Sequence, residues 1–241
     1  MAMYERGDSD GPAVVDRWEG GVGWLAHPGE DGERASHAFR TADGVWVVDP
    51  LDAPGVDDLL ADLGDVAGVA VLSNYHARDA DELARRHGVP VHVPAWSAMD
   101  RVVDRLDAAV ERFEEGFAGF EGGVGGFGVR RVDPLPGWTE AVAYRERDGT
   151  LYVPDVLSAS GKFAVADERV GLFLLSRLRP PGDAFGDVTP ERILFGHGDG
   201  VFADAEGALE NCLDGARRRF PRALATTAGT QLRALFDAVR N

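Results

Sequence analysis

The sequence of 241 residues is poor in cysteine, in lysine and in long apolar stretches. Cys212 is its only cysteine, so an internal disulfide and a cysteine-based zinc site are both excluded. No apolar run reaches the roughly 18 residues that a membrane-spanning helix needs, and the first residues lack the apolar core of a signal peptide. We therefore expect a cytoplasmic protein with no membrane partner.

Positive charge is also scarce. Asp and Glu together number 41 against 25 Lys and Arg, which gives a formal net charge of −16, and Lys162 is the only lysine. A nucleic-acid-binding protein needs a basic face to neutralise phosphates, so this balance argues against a nucleic-acid partner. Strong acidity with almost no lysine is typical of halophilic archaea, whose high-salt cytosol screens the self-repulsion of such a chain. The composition thus indicates a habitat and leaves the activity open.

Hydrophobic patterning predicts alternating strands and helices in a single domain that spans residues 1–241. In the first half we expect strands at 21–27, 35–41, 45–49, 68–73 and 89–94, with helices at 51–63 and 77–87. A serine N-cap at Ser97 and an apolar stripe predict a long helix over 97–113, followed by a glycine-rich loop or hairpin at 116–128. The second half predicts strands at 129–132, 141–145, 151–153 and 193–195, then helices at 204–218 and 230–240. This order indicates a layered α/β fold.

Several of these strand-like segments end in polar groups. They read VLSNYHARD at 71–79, LPGWTEAVA at 135–143, LYVPD at 151–155 and FGHG at 195–198. Strand ends along one edge of an α/β fold are where a site is usually assembled. We therefore expect the polar residues of these segments to share one pocket.

The order of these motifs resembles the metallo-β-lactamase fold superfamily, from VWVVDP at 45–50 to Gly198. In that family a strand ends in His-x-His-x-Asp-His, and a Gly-His-Thr-Pro-Gly segment, a strand ending in Gly-Asp and a Gly-His-Gly follow. The resemblance implies a four-layer αββα sandwich with two mixed sheets flanked by helices. It also implies hydrolysis assisted by one or two zinc, iron or manganese ions, which lower the pKa of a bound water.

The resemblance places His76, Asp155 and His197 at retained ligand positions, and Asp49 where the family has a carboxylate that orients metal-binding histidines. For Asp49, a plain turn residue before Pro50 is the equal alternative. At four further ligand positions the sequence departs from the family pattern: Asn74 and Trp138 replace histidines, Arg78 replaces the aspartate, and Asp79 replaces the last histidine.

Because of these departures, we do not expect a site with two metals. The favoured hypothesis is a metal-free, non-hydrolytic or catalytically reduced protein that binds an unknown small molecule or protein. In it Arg78 replaces the charge of the metal and pairs with Asp155, or with Asp79 and Asp155 together. The alternative is a hydrolase of an ester or thioester with one zinc, iron or manganese ion at Asp79, Asp155 and His197. A third hypothesis is metal-free acid–base chemistry by His76 and Asp155.

Overall fold

A computed structural model describes residues 3–5, 7, 9–114 and 126–239 of the chain. Among these residues the α-helices are α1 (Val56–Ala61), α2 (Ala80–His87), α3 (Asp100–Val103) and α4 (Ala205–Val239). Most of the glycine-rich segment at 116–128 lies outside the described residues. Within the described part of the chain, no helix combines the length and the apolarity needed to cross a membrane.

Seven strands, arranged in sequence order, form the first sheet. Its first four strands pair antiparallel, and the pairs from the fourth strand to the seventh are parallel. The change follows from the connections, because α1, α2 and α3 provide the crossovers that parallel neighbours require. The strands are β1 (Ala13–Trp18), β2 (Gly21–Leu25), β3 (Ala35–Thr41), β4 (Gly44–Val48), β5 (Val66–Ala70), β6 (Val91–Pro94) and β7 (Val110–Phe113).

A second sheet of four strands and a small two-stranded sheet come from the second half. The four-stranded sheet has the order β13-β10-β9-β8, with β10 and β13 parallel and the other neighbours antiparallel. Its strands are β8 (Gly128–Leu135), β9 (Trp138–Arg145), β10 (Thr150–Val153) and β13 (Arg192–Phe195). The small sheet pairs β11 (Leu157–Ser158) with β12 (Gly171–Leu172).

Three apolar clusters stack these elements into four layers. Alternate side chains of the first sheet, such as Val47 and Val69, pack with α1 and α2, while Phe39 and Val48 pack with side chains of the second sheet. The other face of the second sheet packs with α4 through buried residues that include Cys212. Burial raises the pKa of the Cys212 thiol to about 12, so this residue is an inert core side chain. The expected αββα sandwich is confirmed.

The prediction of a long helix over 97–113 is wrong. A short 3₁₀ turn at Ser97–Met99 leads into α3, which ends at Val103, and Val110–Phe113 form β7 instead. Apolar spacing does not distinguish these outcomes, because Val110 is a good strand residue as well as a member of the helical stripe. The parallel ladder with β6 decides, since it gives this edge segment backbone partners from Val91 to Pro94.

The two helices expected at the end of the chain form one helix, α4, with Pro221 inside it. Proline lacks an N–H and removes one helical hydrogen bond, yet the helix continues through this residue. Buried side chains lie on both sides of the proline, with Ala216 before it and Ala223 after it. Packing against the second sheet and against the loop around Leu174 therefore keeps both halves helical.

Candidate metal site

Three chain segments that follow strands meet at one edge of the sandwich. They are the segments after β5, after β10 and after β13, and backbone hydrogen bonds lock them together. Gly196 donates its N–H to Val153, and Ala141 of β9 donates to Leu72. The polar strand ends expected to share a pocket therefore lie side by side.

The centre of this edge is a triad formed by His76, Asp155 and His197. The Nε2 atom of His76 lies 3.1 Å from Oδ1 of Asp155, and Nε2 of His197 lies 2.9 Å from the same oxygen. One ligand atom from each residue lies within 4.8 Å of the other two. A hydrogen bond of 3.2 Å from the Ser73 hydroxyl holds the second oxygen of Asp155.

Hydrogen bonds on the far side of each imidazole fix its orientation. Nδ1 of His76 donates to Oδ2 of the buried Asp49 over 3.0 Å, and Tyr152 donates to the same oxygen over 2.7 Å. Nδ1 of His197 lies 2.6 Å from the Gly32 carbonyl oxygen, which can only accept. In the neutral rings both Nε2 atoms therefore present lone pairs toward Asp155.

This arrangement fits a metal ion. Two imidazole lone pairs and a carboxylate oxygen repel one another unless something positive lies among them, either a proton or a metal. Two histidines and one carboxylate are also the donor set of many mononuclear zinc and iron sites, which leave further positions open for water. Asp49 lies on Nδ1 of His76, and a carboxylate at that nitrogen is the usual partner of a metal-binding histidine.

The protonation tendencies of the triad describe the alternative occupant of this space. Burial, the largest influence, lowers the pKa of His76, and Arg78 lowers it further. The carboxylates of Asp155 and Asp49 outweigh both, so the pKa of His76 is raised. Burial works to raise the pKa of Asp155, but the two histidines hold it well below its usual range. An imidazolium at His76 between two carboxylates thus satisfies the triad without a metal.

Arg78 lies beside the triad with a backbone φ of 39°, in the left-handed region. Its Nη1 donates to the carbonyls of Ala35 and Asp49 at 2.7 Å each, and its Nη2 donates to Gly196 at 3.1 Å. Nη2 also lies 3.2 Å from Nε2 of His76. The expected pairs with Asp155 and Asp79 are wrong, because within the described residues the guanidinium binds backbone carbonyls of three strand ends and no carboxylate.

Solved structures show which fold this is. The metallo-β-lactamase DIM-1 exposed to ceftazidime matches with a TM-score of 0.59 at 10% identity, over 88% of this chain and 99% of that chain. A metallo-β-lactamase from Pontibacter korlensis matches with 0.56 at 13%, over 86% and 99%. The mono-zinc form of FIM-1 from Pseudomonas aeruginosa matches with 0.54 at 13%, over 89% and 98%. The chain has the metallo-β-lactamase fold. Neither a protein-family model nor a curated protein matches the sequence.

The residues at the substituted ligand positions make other contacts in this structure. Asn74 bridges the turn before β9, donating to the Gly137 carbonyl over 3.0 Å and accepting from the Thr139 N–H over 3.1 Å. Asp79 accepts the N–H of Asp52 at the start of α2, and burial raises its pKa. Among the described residues His76, and not Asp79, joins Asp155 and His197 in the group that could hold a metal.

Trp138 reveals a site residue that sequence reasoning missed. Its indole N–H donates to Oε2 of Glu140 over 3.1 Å, and its ring packs edge-on against Phe173 with centroids 4.9 Å apart. Glu140 is fully buried and its Oε1 accepts the N–H of Val156 over 3.0 Å, which supports the loop that carries Asp155. Burial, and then the charge of Asp155, raise the pKa of Glu140 well above its usual range. Glu140 lies in β9 with its side chain buried in the core, and nothing in the sequence marks this position as that of a buried acid.

A cavity of about 350 Å³ opens beside the triad. His76, Asp155 and His197 contribute to its lining, as do Arg78 and Trp138. Its volume falls within the range of small-molecule sites. The triad is therefore placed where a small ligand could reach it.

Proposed function

We propose that this protein is a hydrolase of a small ester or thioester that works with one metal ion held by His76, Asp155 and His197. The observation that carries the proposal is the convergence of two imidazole Nε2 atoms on Oδ1 of Asp155, with each Nδ1 engaged on its far side. Compared with the ligand set expected from the sequence, His76 takes the place of Asp79.

A bound zinc, iron or manganese ion would supply a Lewis acid and a water of lowered pKa at this position. The chain itself supplies orientation. Asp49 and the Gly32 carbonyl hold the two rings with their Nε2 atoms toward the cavity, and Ser73 holds Asp155. Such preorganisation is worth much because the ligands then lose little freedom on binding.

Charge supports one ion and argues against two. The carboxylates of Asp49 and Asp155 and the guanidinium of Arg78 carry a formal charge of −1 when all are ionised, since the raised pKa of Glu140 keeps that acid neutral. One divalent ion brings the charge of this partly buried cluster to +1, and a second would bring it to +3. Arg78 thus supplies the positive charge that a second ion would otherwise bring.

A second candidate is a metal-free binding protein that uses the same cavity. The contact of 3.2 Å between Nη2 of Arg78 and Nε2 of His76 favours it, since this cation would repel a metal ion bound to the same imidazole. In that state a proton on His76 joins the carboxylates of Asp49 and Asp155. Its ligand would be a small molecule, bound without hydrolysis.

Elemental analysis of protein purified without chelator separates these proposals. One equivalent of zinc, iron or manganese, lost in His197→Asn but kept in the control His87→Asn at a surface ion pair, supports the hydrolase. That protein should then cleave p-nitrophenyl butyrate or a butyryl thioester, and His197→Asn should not. Less than a tenth of an equivalent, even after incubation with zinc, supports the metal-free candidate. Two equivalents would overturn both.

A further inference from the structure

The cavity beside the triad is positively lined, although the molecule is strongly acidic. Five basic side chains line it: Arg34, Arg78, Arg101, Arg105 and Lys162. Three acidic side chains join them: Glu33, Asp81 and Asp155. Across the whole chain acidic residues outnumber basic ones by 41 to 25. A cleft whose charge is opposite to that of the surrounding surface concentrates anions.

Most of these cations are already engaged within the protein. Arg34 forms a two-pronged pair with Glu30, at 2.8 and 2.7 Å, and Lys162 lies 3.0 Å from Glu33. Arg78 is tied to backbone carbonyls, as described above. Their charges and N–H donors are therefore used largely in contacts that stabilise the cavity wall.

Arg101 differs from them. Its guanidinium lies over the ring of Tyr75, 4.4 Å from the centroid. No carboxylate pairs with it in the described part of the chain, and its neighbour Asp100 pairs instead with Arg112. Stacking uses the flat face of a guanidinium and leaves its in-plane N–H groups available for a ligand. Tyr75 directly precedes His76 in the chain, so the guanidinium of Arg101 stacks on a neighbour of the triad.

The cavity also has an apolar wall. Trp138 and Phe173 pack edge to face within it, and Leu106 and Phe163 contribute further carbon surface. A ligand that uses both features has an apolar body and one anionic group. A single guanidinium fork matches the two oxygens of a carboxylate.

We propose that the cavity binds a small carboxylate with an apolar body, whose anionic group is held by Arg101 and whose body packs on Trp138 and Phe173. This deepens the proposed function and rests on it in one respect, in that the ester or thioester substrate would itself carry a carboxylate. Arg101 is then the residue that selects substrates by charge.

Calorimetric titration of the protein in EDTA tests this. The probes are 4-phenylbutyrate and its neutral analogue 4-phenylbutanol, which have the same apolar body. The wild-type protein should bind the carboxylate more tightly than the alcohol, and Arg101→Gln should weaken carboxylate binding about tenfold, the effect of losing one charge-assisted contact. Binding of the alcohol should stay within about twofold. Arg112→Gln, which removes a nearby arginine that does not line the cavity, should change neither.

Equal affinity of Arg101→Gln and the wild type for 4-phenylbutyrate overturns the proposal, as does an alcohol that binds as tightly as the carboxylate. A readout on the unmodified protein guards against a variant that folds poorly: carboxylate affinity should fall with added KCl more steeply than alcohol affinity. Because EDTA removes any metal, a carboxylate held only by a metal would show no Arg101 dependence. The test therefore remains valid even if metal analysis refutes the hydrolase.

Discussion

Replacing Arg78 by methionine should separate two effects of this side chain that act in opposite directions. The guanidinium ties three strand ends together through the carbonyls of Ala35, Asp49 and Gly196. It also places a positive charge 3.2 Å from Nε2 of His76. Methionine keeps an unbranched stem but removes every donor and the charge. We expect the variant to be less stable and to bind metal more tightly.

The loss of stability follows from the carbonyls left behind. A hydrogen bond to a charged donor contributes about 1.5–3 kcal/mol. Two of the three carbonyls keep a second partner, because Gly196 still accepts from the Ala35 N–H and Asp49 still accepts from the Ser36 hydroxyl. The cost therefore lies near the contribution of one or two such bonds, about 3 kcal/mol.

The gain in metal affinity follows from Coulomb's law. An ion bound to Nε2 of His76 at an ordinary distance of about 2.1 Å lies at most about 5.3 Å from Nη2 of Arg78. A divalent ion and a guanidinium that far apart repel by about 6 kcal/mol at an effective dielectric constant of about 20. Even a quarter of that value, about 1.5 kcal/mol, is a tenfold change in dissociation constant.

Urea denaturation in EDTA and zinc titration against a competing chelator measure the two quantities. The control is Arg86→Met, because Arg86 makes its ion pairs with Asp52 and Asp57 at the surface and should cost less than about 1 kcal/mol. If Arg78→Met unfolds at the same urea concentration as this control, the carbonyls do not depend on Arg78. If its zinc affinity is equal to or below that of the wild type, the electrostatic reasoning is wrong.

Three further predictions concern the whole molecule. Burial and Arg78 lower the pKa of His76, but its carboxylate neighbours leave it raised above 6.5. Its stabilising effect is therefore complete below pH of about 6.5 and is lost as the pH rises through the folded value. The thermal midpoint of metal-free protein should drop as the pH rises above about 6.5, and a drop of equal size in His76→Gln would refute this. The net charge of −16 predicts a thermal midpoint that rises from low to molar KCl, and a flat or falling midpoint would remove the halophilic inference. Glu168→Gln should cost about 3 kcal/mol in urea denaturation, because it breaks a fully buried pair with Arg177, whereas Asp133→Asn at an exposed pair should cost less than about 1 kcal/mol.

The fold can be predicted from the sequence where a residue pattern is compatible with only one type of element. Apolar runs bounded by turn residues place β3, β10 and β13 within a residue or two of their observed ends. They fail at 97–113, where the same valines serve a helix or an edge strand and pairing with β6 decides. The prediction of two helices at 204–218 and 230–240 fails for a related reason, because burial on both sides of Pro221 outweighs one lost hydrogen bond.

The candidate site divides in the same way. The strand-end positions of Asp155 and His197 follow from short polar motifs, and the structure brings both to His76. The partner of Arg78 does not follow, because a long side chain chooses among all acceptors within its reach. Backbone carbonyls of three strand ends lie nearer to it than any carboxylate of the residues that the structure describes. Glu140 is missed because its role is to accept hydrogen bonds from the N–H groups of Val156 and Trp138. These groups become its neighbours only in the folded chain.

The exchange of an acid for Arg78 in the family pattern has a simple electrostatic reading. Replacing a carboxylate by a guanidinium raises the formal charge at one position by two, which is the charge of one divalent ion. We infer that the cluster around Asp155 stays balanced with one ion fewer. The anchoring of Arg78 on carbonyls fits this, because neutral acceptors hold the guanidinium in place without cancelling its charge. A guanidinium neutralised by Asp155 would instead have consumed the carboxylate that the proposed ion would need.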